Sequence, residues 1–289
     1  MAIGGAADWT QAQAALRSEV ERVTALLPTV ANPTAPAVGR WNLGDVAMHL
    51  SQAWLAIPRM ATDELSGSLA PIPGFEARGV SFLSDLRELG DATVSGVDAD
   101  PERDLRVLAG RIAERAEAFF AAIGEASPSE LRPWLVDGVK VPLSTLACHL
   151  LNETVVHGYD IARADGQAWP IDRSRAALVV EGFLFPVMQA LDPHALVDDQ
   201  AATGRQVAYE LRLRGAGRHV FAFAGGALTL DGPEPPHRID CRLSVDPAAL
   251  LLVAWGRVSQ WSAIARGQML AWGRKPWLGP KLRSLMRNP

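Results

Sequence analysis

The hydrophobic period changes partway along this chain, and that change restricts the fold more than any other feature of the sequence. In the first part, apolar residues recur at helical spacing. From Val207 to Val245 they alternate with polar residues at a period near two. Helices first, then strands, then short helical patterns again imply an all-helical domain followed by a smaller α+β domain. The expected division is residues 1–170 and 171–289.

Four helices are expected in the first domain, which suggests a four-helix bundle. One runs from about Trp9 to Leu27. A second opens at Asn42, a good N-cap with Asp45 near the positive end of the dipole. Its apolar stripe is Leu43, Val46, Leu50, Trp54 and Ile57, and Pro58 then predicts a stop or a kink. A third is expected from Pro101 to Gly124 with Asp100 as its cap, and a fourth from Pro142 to about Ala164. The Gly/Pro-rich stretch from Ser66 to Gly79 reads as a long loop.

In the second domain a helix is expected from Arg173 to Leu191. Strands are expected at Val207–Leu213, His219–Phe223, Ala227–Leu230 and Ile239–Val245, with Gly225-Gly226 as a hairpin turn. Helical pattern resumes at Ala248–Trp255, Gln260–Ala271 and Lys281–Met286. No internal repeat and no low-complexity segment stands out.

Composition excludes several classes. Hydrophobic residues at 48% and charged ones at 21% permit a substantial core and argue against disorder. A net charge of −4 argues against a whole-chain polyanion binder. The tail differs: from Asp240 onward there are eight Lys or Arg against two Asp. Trp255, Trp261, Trp272 and Trp277 lie among those cations, a pattern that can serve nucleic acid or a membrane surface. Glycines and prolines interrupt it, and tryptophans at helical spacing more often belong to a core, so neither partner is expected. Only Cys148 and Cys241 occur, with no C-x-x-C pair, which suits a reducing compartment and core packing for both. Met1 to Trp9 lacks the layout of a signal peptide, and no window approaches the ~18 apolar residues of a membrane span. The expected location is the cytoplasm, where the glycosylation triplet Asn152-Glu153-Thr154 would be accidental.

The chemistry concentrates on the fourth helix. Leu146, Leu150, Glu153 and His157 fall at i, i+4, i+7 and i+11, the core-facing spacing of a bundle helix. Glu153 and His157 therefore stand where leucines belong. A carboxylate there costs several kcal/mol unless it is paired, protonated or bound to a cation. Four residues apart, the two side chains project from adjacent turns toward one point. The best third ligand is His49, which borders the apolar stripe of the second helix. His149 competes, but eight residues along a helix is ~12 Å, too far for it to share one ion with His157 at bond lengths of ~2.0–2.1 Å. It is expected at the surface or behind the ligands. Two histidines and one glutamate leave an open coordination position, as catalytic sites do. On spacing alone, a hydrogen-bonded core histidine remains the commoner explanation for such a pair.

Two segments carry a resemblance. Trp41-Asn-Leu-Gly-Asp-Val-Ala-Met-His49-Leu50, with Glu153-Thr-Val-Val-His157-Gly-Tyr-Asp160, resembles the metal-site signature of the mycothiol-dependent maleylpyruvate isomerase family, whose N-terminal domain is a DinB-like four-helix bundle. The tail, from Asp240-Cys-Arg-Leu-Ser-Val-Asp-Pro through Ala254-Trp-Gly-Arg257 to Trp272-Gly-Arg274-Lys-Pro-Trp277, is similar to that family's sterol-carrier-like C-terminal domain. The likeness spans nearly the whole chain in the same order. It implies that His49, Glu153 and His157 hold zinc or another divalent metal, whose open position takes the sulfur of mycothiol. It further implies addition of that thiol to a small-molecule electrophile, either as a cis–trans isomerase or as an S-transferase. A dianionic substrate calls for basic side chains. Arg59, Arg163, Arg257, Arg266 and Arg274 are available, and Arg274 in the basic tail is the first choice. From a different class stands a non-catalytic protein that holds an apolar ligand in its second domain.

Overall fold

A computed structural model of the chain describes residues 6–62, 64, 72, 87–198, 204–233 and 238–287. It is a mixed helix and sheet protein in two compact units, one ending at Ile171 and the other starting at Asp172.

In the first unit Asn42 and Asp45 set the start of a helix. The Asn42 side chain accepts from the Asp45 amide at 2.9 Å, and Asp45 Oδ2 accepts from the Asn42 amide at 3.1 Å. This reciprocal cap, worth about 1 kcal/mol, begins α2 (Leu43–Ala61). All five residues of its expected stripe are buried. Pro58 does not stop the helix, which ends one turn later where the Thr62 amide and hydroxyl both donate to the Pro58 carbonyl. The other long helices are α1 (Ala6–Leu26), α4 (Leu105–Ala122) and α5 (Leu143–Ala164). Both α1 and α2 pack against α4 and α5, so these four close a ring.

Two expectations are corrected here. Asp104, rather than Asp100, caps α4, because its carboxylate takes the Arg106 and Val107 amides directly before the first apolar residue of the stripe. Asp100 binds the Glu102 amide and pairs with Arg111 at 2.9 Å. An additional helix, α3 (Arg87–Ala99), packs on α2. Gly90 and Gly96 lower its intrinsic propensity, and burial of Ala92 and Val97 supplies what propensity does not. The stretch from Ser66 to Gly79 lies outside the described residues apart from Ile72.

A short repeat, too brief to stand out in the sequence, lies in two ribbon–helix units of this domain. Strands β1 (Pro36–Val38) and β2 (Trp41–Asn42) pair antiparallel and lead directly into α2. Strands β3 (Leu131–Pro133) and β4 (Lys140–Pro142) pair antiparallel and lead directly into α5. Residues 43–50 and 143–150 then align without a gap and share Leu43/Leu143, Ala47/Ala147, His49/His149 and Leu50/Leu150. Each ribbon–helix unit thus carries a histidine as the seventh residue of its helix.

The second unit begins with α6 (Arg173–Val179), capped by Asp172, and α7 (Phe185–Ala190). A π turn over Val180–Leu184 joins them where one uninterrupted helix was expected. Pro186 follows at once; it lacks the N–H that would bond the Gly182 carbonyl and its ring crowds that carbonyl. Five strands form the sheet: β5 (Val207–Leu213), β6 (Arg218–Ala224), β7 (Ala227–Leu230), β8 (Cys241–Val245) and β9 (Met269–Trp272), in the order β7-β6-β5-β8-β9. All neighbours are antiparallel except β5 and β8. Gly225 and Gly226 make the β6–β7 turn at φ +59° and +77°, which only glycine adopts without strain. Alternate residues of the sheet bury one face around Tyr209, Phe221 and Leu243, against Val180 and Phe185.

The remaining helices are α8 (Pro247–Ala254) and α9 (Gln260–Ala265). The helix expected to reach Ala271 stops at Ala265, because Gly267 turns the chain at φ +68° and Met269–Trp272 pairs with β8 as an edge strand. The pattern at Lys281–Met286 is 3₁₀ rather than α. The tail tryptophans are not core residues either: Trp261 and Trp277 are 62% exposed, and Trp272 lies under the Arg212 guanidinium. Among the described residues no helix is long and apolar enough to cross a membrane.

Candidate metal centre

Helices α2 and α5 pack closely, and their contact brings His49, Glu153 and His157 to one point. His49 Nε2 lies 3.2 Å from Glu153 Oε2, and His157 Nε2 lies 3.3 Å from the same oxygen. One nitrogen or oxygen from each residue falls within 4.8 Å of the others, a grouping that could hold a metal ion. The two imidazoles meet edge to face, with centroids 4.7 Å apart and planes at 88°. Glu153 and His157 are buried, as their core-facing positions require.

Each of these side chains is held from behind. His157 Nδ1 is 3.1 Å from Asp160 Oδ2, which directs Nε2 toward Glu153. Glu153 Oε1 accepts from Asn152 Nδ2 at 3.1 Å and faces His149 Nε2 at 3.5 Å. The Trp41 ring stacks at a tilt on His49, centroid to centroid 5.2 Å. Its Nε1–H is buried and has no acceptor among the described residues.

The electrostatics follow from this packing. Burial by itself would raise the Glu153 carboxyl, yet hydrogen bonds from His149, His157 and His49 hold it well below the usual carboxylate range. Burial would likewise lower His157, but its bonds to Asp160 and Glu153 prevail and raise it to about 9. For His49 burial wins over the Glu153 hydrogen bond and lowers it. An ionised carboxylate and two imidazoles converge in a buried site, a donor set suited to zinc or a similar divalent ion, which would displace the proton that His157 otherwise holds. The unsatisfied Trp41 donor beside it suits an anionic or carbonyl-bearing ligand.

The structure brings together His49, Glu153 and His157, the three residues read from the sequence as candidate ligands. It also buries His149, so the surface alternative for that residue is excluded. Asp160, Asn152 and Trp41 join the site beyond the residues expected there. Asp160 carried a usable signal, since i+3 from His157 is the same helix face. Arg274 lies in the second unit, where it and Lys275 both pair with Asp240, at 3.2 and 2.9 Å. Arg59 and Arg163 stand in the last turns of α2 and α5. Cys148 and Cys241 are buried, and burial pushes the Cys148 thiol up to about 12, so it is no nucleophile.

Residues 9–162 match the family model for the mycothiol maleylpyruvate isomerase N-terminal domain. Among solved structures, the mycothiol-dependent maleylpyruvate isomerase is similar over 91% of this chain and 92% of its own, with TM-score 0.50 and 13% identity. A histidine-to-alanine variant of a mycothiol-dependent maleylpyruvate isomerase gives the same coverage with TM-score 0.51 and 12% identity. At such identities the likeness is one of fold. No curated protein matches the chain in sequence.

Proposed function

The chain belongs to the mycothiol maleylpyruvate isomerase family, whose N-terminal domain it carries over residues 9–162, and from that premise we propose that it is a metal-dependent enzyme acting through mycothiol or a similar small thiol. In this reading His49, Glu153 and His157 hold zinc or another divalent ion. The observation that supports it is the convergence of three metal-type donor atoms within 4.8 Å inside a helical core. The helical unit corresponds to a DinB-like four-helix bundle over 1–170, and residues 171–289 correspond to a sterol-carrier-like domain.

The bound ion supplies one thing, a thiol held as thiolate at neutral pH, where a free thiol of pKa ~8.5 is mostly protonated. The chain does the rest. Asp160 fixes the ring of His157, and burial keeps water from competing with the thiolate. Trp41 Nε1 donates to an oxygen of the bound ligand. In a maleylpyruvate-type isomerase the thiolate adds to the cis double bond and the neighbouring carbon carries the charge. Rotation about the new single bond and expulsion of the thiolate then give the trans isomer. In an S-transferase the thioether persists. Arg274 is proposed to pair with a substrate carboxylate, and the enzyme is expected to work in the cytoplasm on a small-molecule electrophile.

The test is elemental analysis of protein purified without a histidine tag, for the native chain and Glu153→Ala. About one divalent ion per chain, lost in the variant, supports the site, and product analysis with thiol and maleylpyruvate then separates isomer from thioether. No bound metal, and no uptake of zinc, nickel or iron, overturns the catalytic reading in favour of an apolar-ligand carrier.

A further inference from the structure

We infer that His149 is a positioning residue that restricts Glu153 to binding its ion through one oxygen. This rests on the metal reading above and adds to it the way the carboxylate is presented. The two oxygens of Glu153 have different surroundings. Oε2 faces the two ligand nitrogens, His49 Nε2 at 3.2 Å and His157 Nε2 at 3.3 Å. Oε1 faces two groups that can only satisfy it by donating, Asn152 Nδ2 at 3.1 Å and His149 Nε2 at 3.5 Å.

The proton on His149 can be assigned from its other neighbour. Trp134 Nε1 lies 3.4 Å from His149 Nδ1. An indole nitrogen donates and never accepts, so Nδ1 must be the accepting nitrogen of the ring. The proton of the neutral imidazole therefore sits on Nε2, directed at Glu153 Oε1. With one nitrogen protonated and the other receiving the indole N–H, His149 has no lone pair for a cation. The competitor ligand of the sequence is thereby removed from the ligand set, and its helix position gives it a different task.

That task follows from the repeat. His49 and His149 are the seventh residues of equivalent ribbon–helix units, and they approach Glu153 from its two different oxygens. His49 would serve as a ligand to the ion, while His149, with Asn152, occupies the oxygen that could otherwise bind it a second time. A carboxylate bound through both oxygens fills two coordination positions. Bound through Oε2 alone, it leaves one more position for the thiol sulfur and the low coordination number typical of catalytic zinc.

The experiment loads the full-length protein with cobalt(II) and records its visible spectrum, together with zinc affinity by chelator competition. It compares the native chain, His149→Leu, His149→Gln, Trp134→Phe and, as a ligand-loss control, His157→Ala. His149→Leu is expected to keep one ion per chain, to lose zinc affinity about 10- to 100-fold, and to replace the strong four-coordinate cobalt absorption with the weak bands of higher coordination. His149→Gln, which retains a donor, recovers part of both. Trp134→Phe leaves the histidine in place and shifts the spectrum in the same direction, which keeps the test valid where the leucine variant fails to fold. Spectra and affinities equal to native in all variants overturn the inference. So does complete loss of metal in His149→Leu equal to that of His157→Ala, which would make His149 a ligand. Native protein that takes up no cobalt overturns the metal reading itself.

Discussion

Asp160 and His157 form a carboxylate–imidazole pair inside α5, Oδ2 to Nδ1 3.1 Å, and the bond fixes which nitrogen of His157 faces Glu153. Partners of this kind typically contribute 10–100-fold to metal affinity. Asp160→Ala is therefore expected to weaken zinc binding by about that factor, measured by chelator competition, with helical circular dichroism unchanged. Asp160→Asn, which keeps an accepting oxygen, should lose less.

Trp41 contributes two separable features, a ring on His49 and an unsatisfied N–H. Trp41→Phe keeps the first and removes the second. Zinc content should remain at one ion per chain, while affinity for thiol or substrate falls about five- to tenfold, the worth of one hydrogen bond. Calorimetric titration with each ligand measures this. Unchanged affinity for both would show that the N–H meets no ligand.

In the second unit His219 is clamped between two carboxylates, with Nδ1 2.7 Å from Asp231 Oδ2 and Nε2 2.8 Å from Glu181 Oε1. Burial would lower its pKa, but the two carboxylates outweigh burial and raise it. Glu181 moves down: burial opposes, and the bonds from His219 and the Gly217 amide prevail. A raised histidine stabilises the fold fully below its unfolded pKa of 6.5 and ceases to as pH climbs through the folded value. The lowered Glu181 contributes above 4.5 and loses its effect as pH falls through its own folded value. The difference in melting temperature between native protein and His219→Gln should be largest between these limits and shrink steadily above pH 6.5. A difference that stays flat above pH 6.5 would dismiss the charged clamp.

Gly158, next to His157, is needed for its size. A Cβ there would sit 2.5 Å from Cζ2 of the buried Trp169 ring, which the Arg22 guanidinium covers from one side. Gly158→Ala should destabilise the helical unit by about 1–3 kcal/mol, as overpacking does, in urea unfolding followed by tryptophan fluorescence. Adding Trp169→Leu should recover part of the loss, a coupling that identifies the clash as its cause.

What the sequence disclosed was local or periodic. The Asn42 cap needs only Asp45, the Gly225-Gly226 turn needs only itself, and Glu153 with His157 betray themselves by occupying leucine positions. What it concealed depends on residues far away. Met269–Trp272 reads as more helix because its strand identity comes from pairing with Arg242–Val245. Helix α3 contains two glycines and is held by packing on α2. The repeat rests on four identities in eight residues, too few to register until the ribbons before α2 and α5 align it. Nor could spacing give the role of His149, which follows from Trp134, fifteen residues earlier in the connection between β3 and β4.

His49 and Glu153 are 104 residues apart in the chain, and this separation matters while the protein is being made. Until α5 leaves the ribosome, the nascent chain holds only His49 of the three clustered residues and displays on α1 and α2 the apolar stripes that α5 covers. A product cut short before Glu153 lacks the site and exposes a core surface at the same time. A chain that stops before α5 therefore lacks two of the three clustered side chains and leaves uncovered the apolar surface that chaperones and proteases recognise. The same helix that completes the chemistry certifies that synthesis has passed the midpoint.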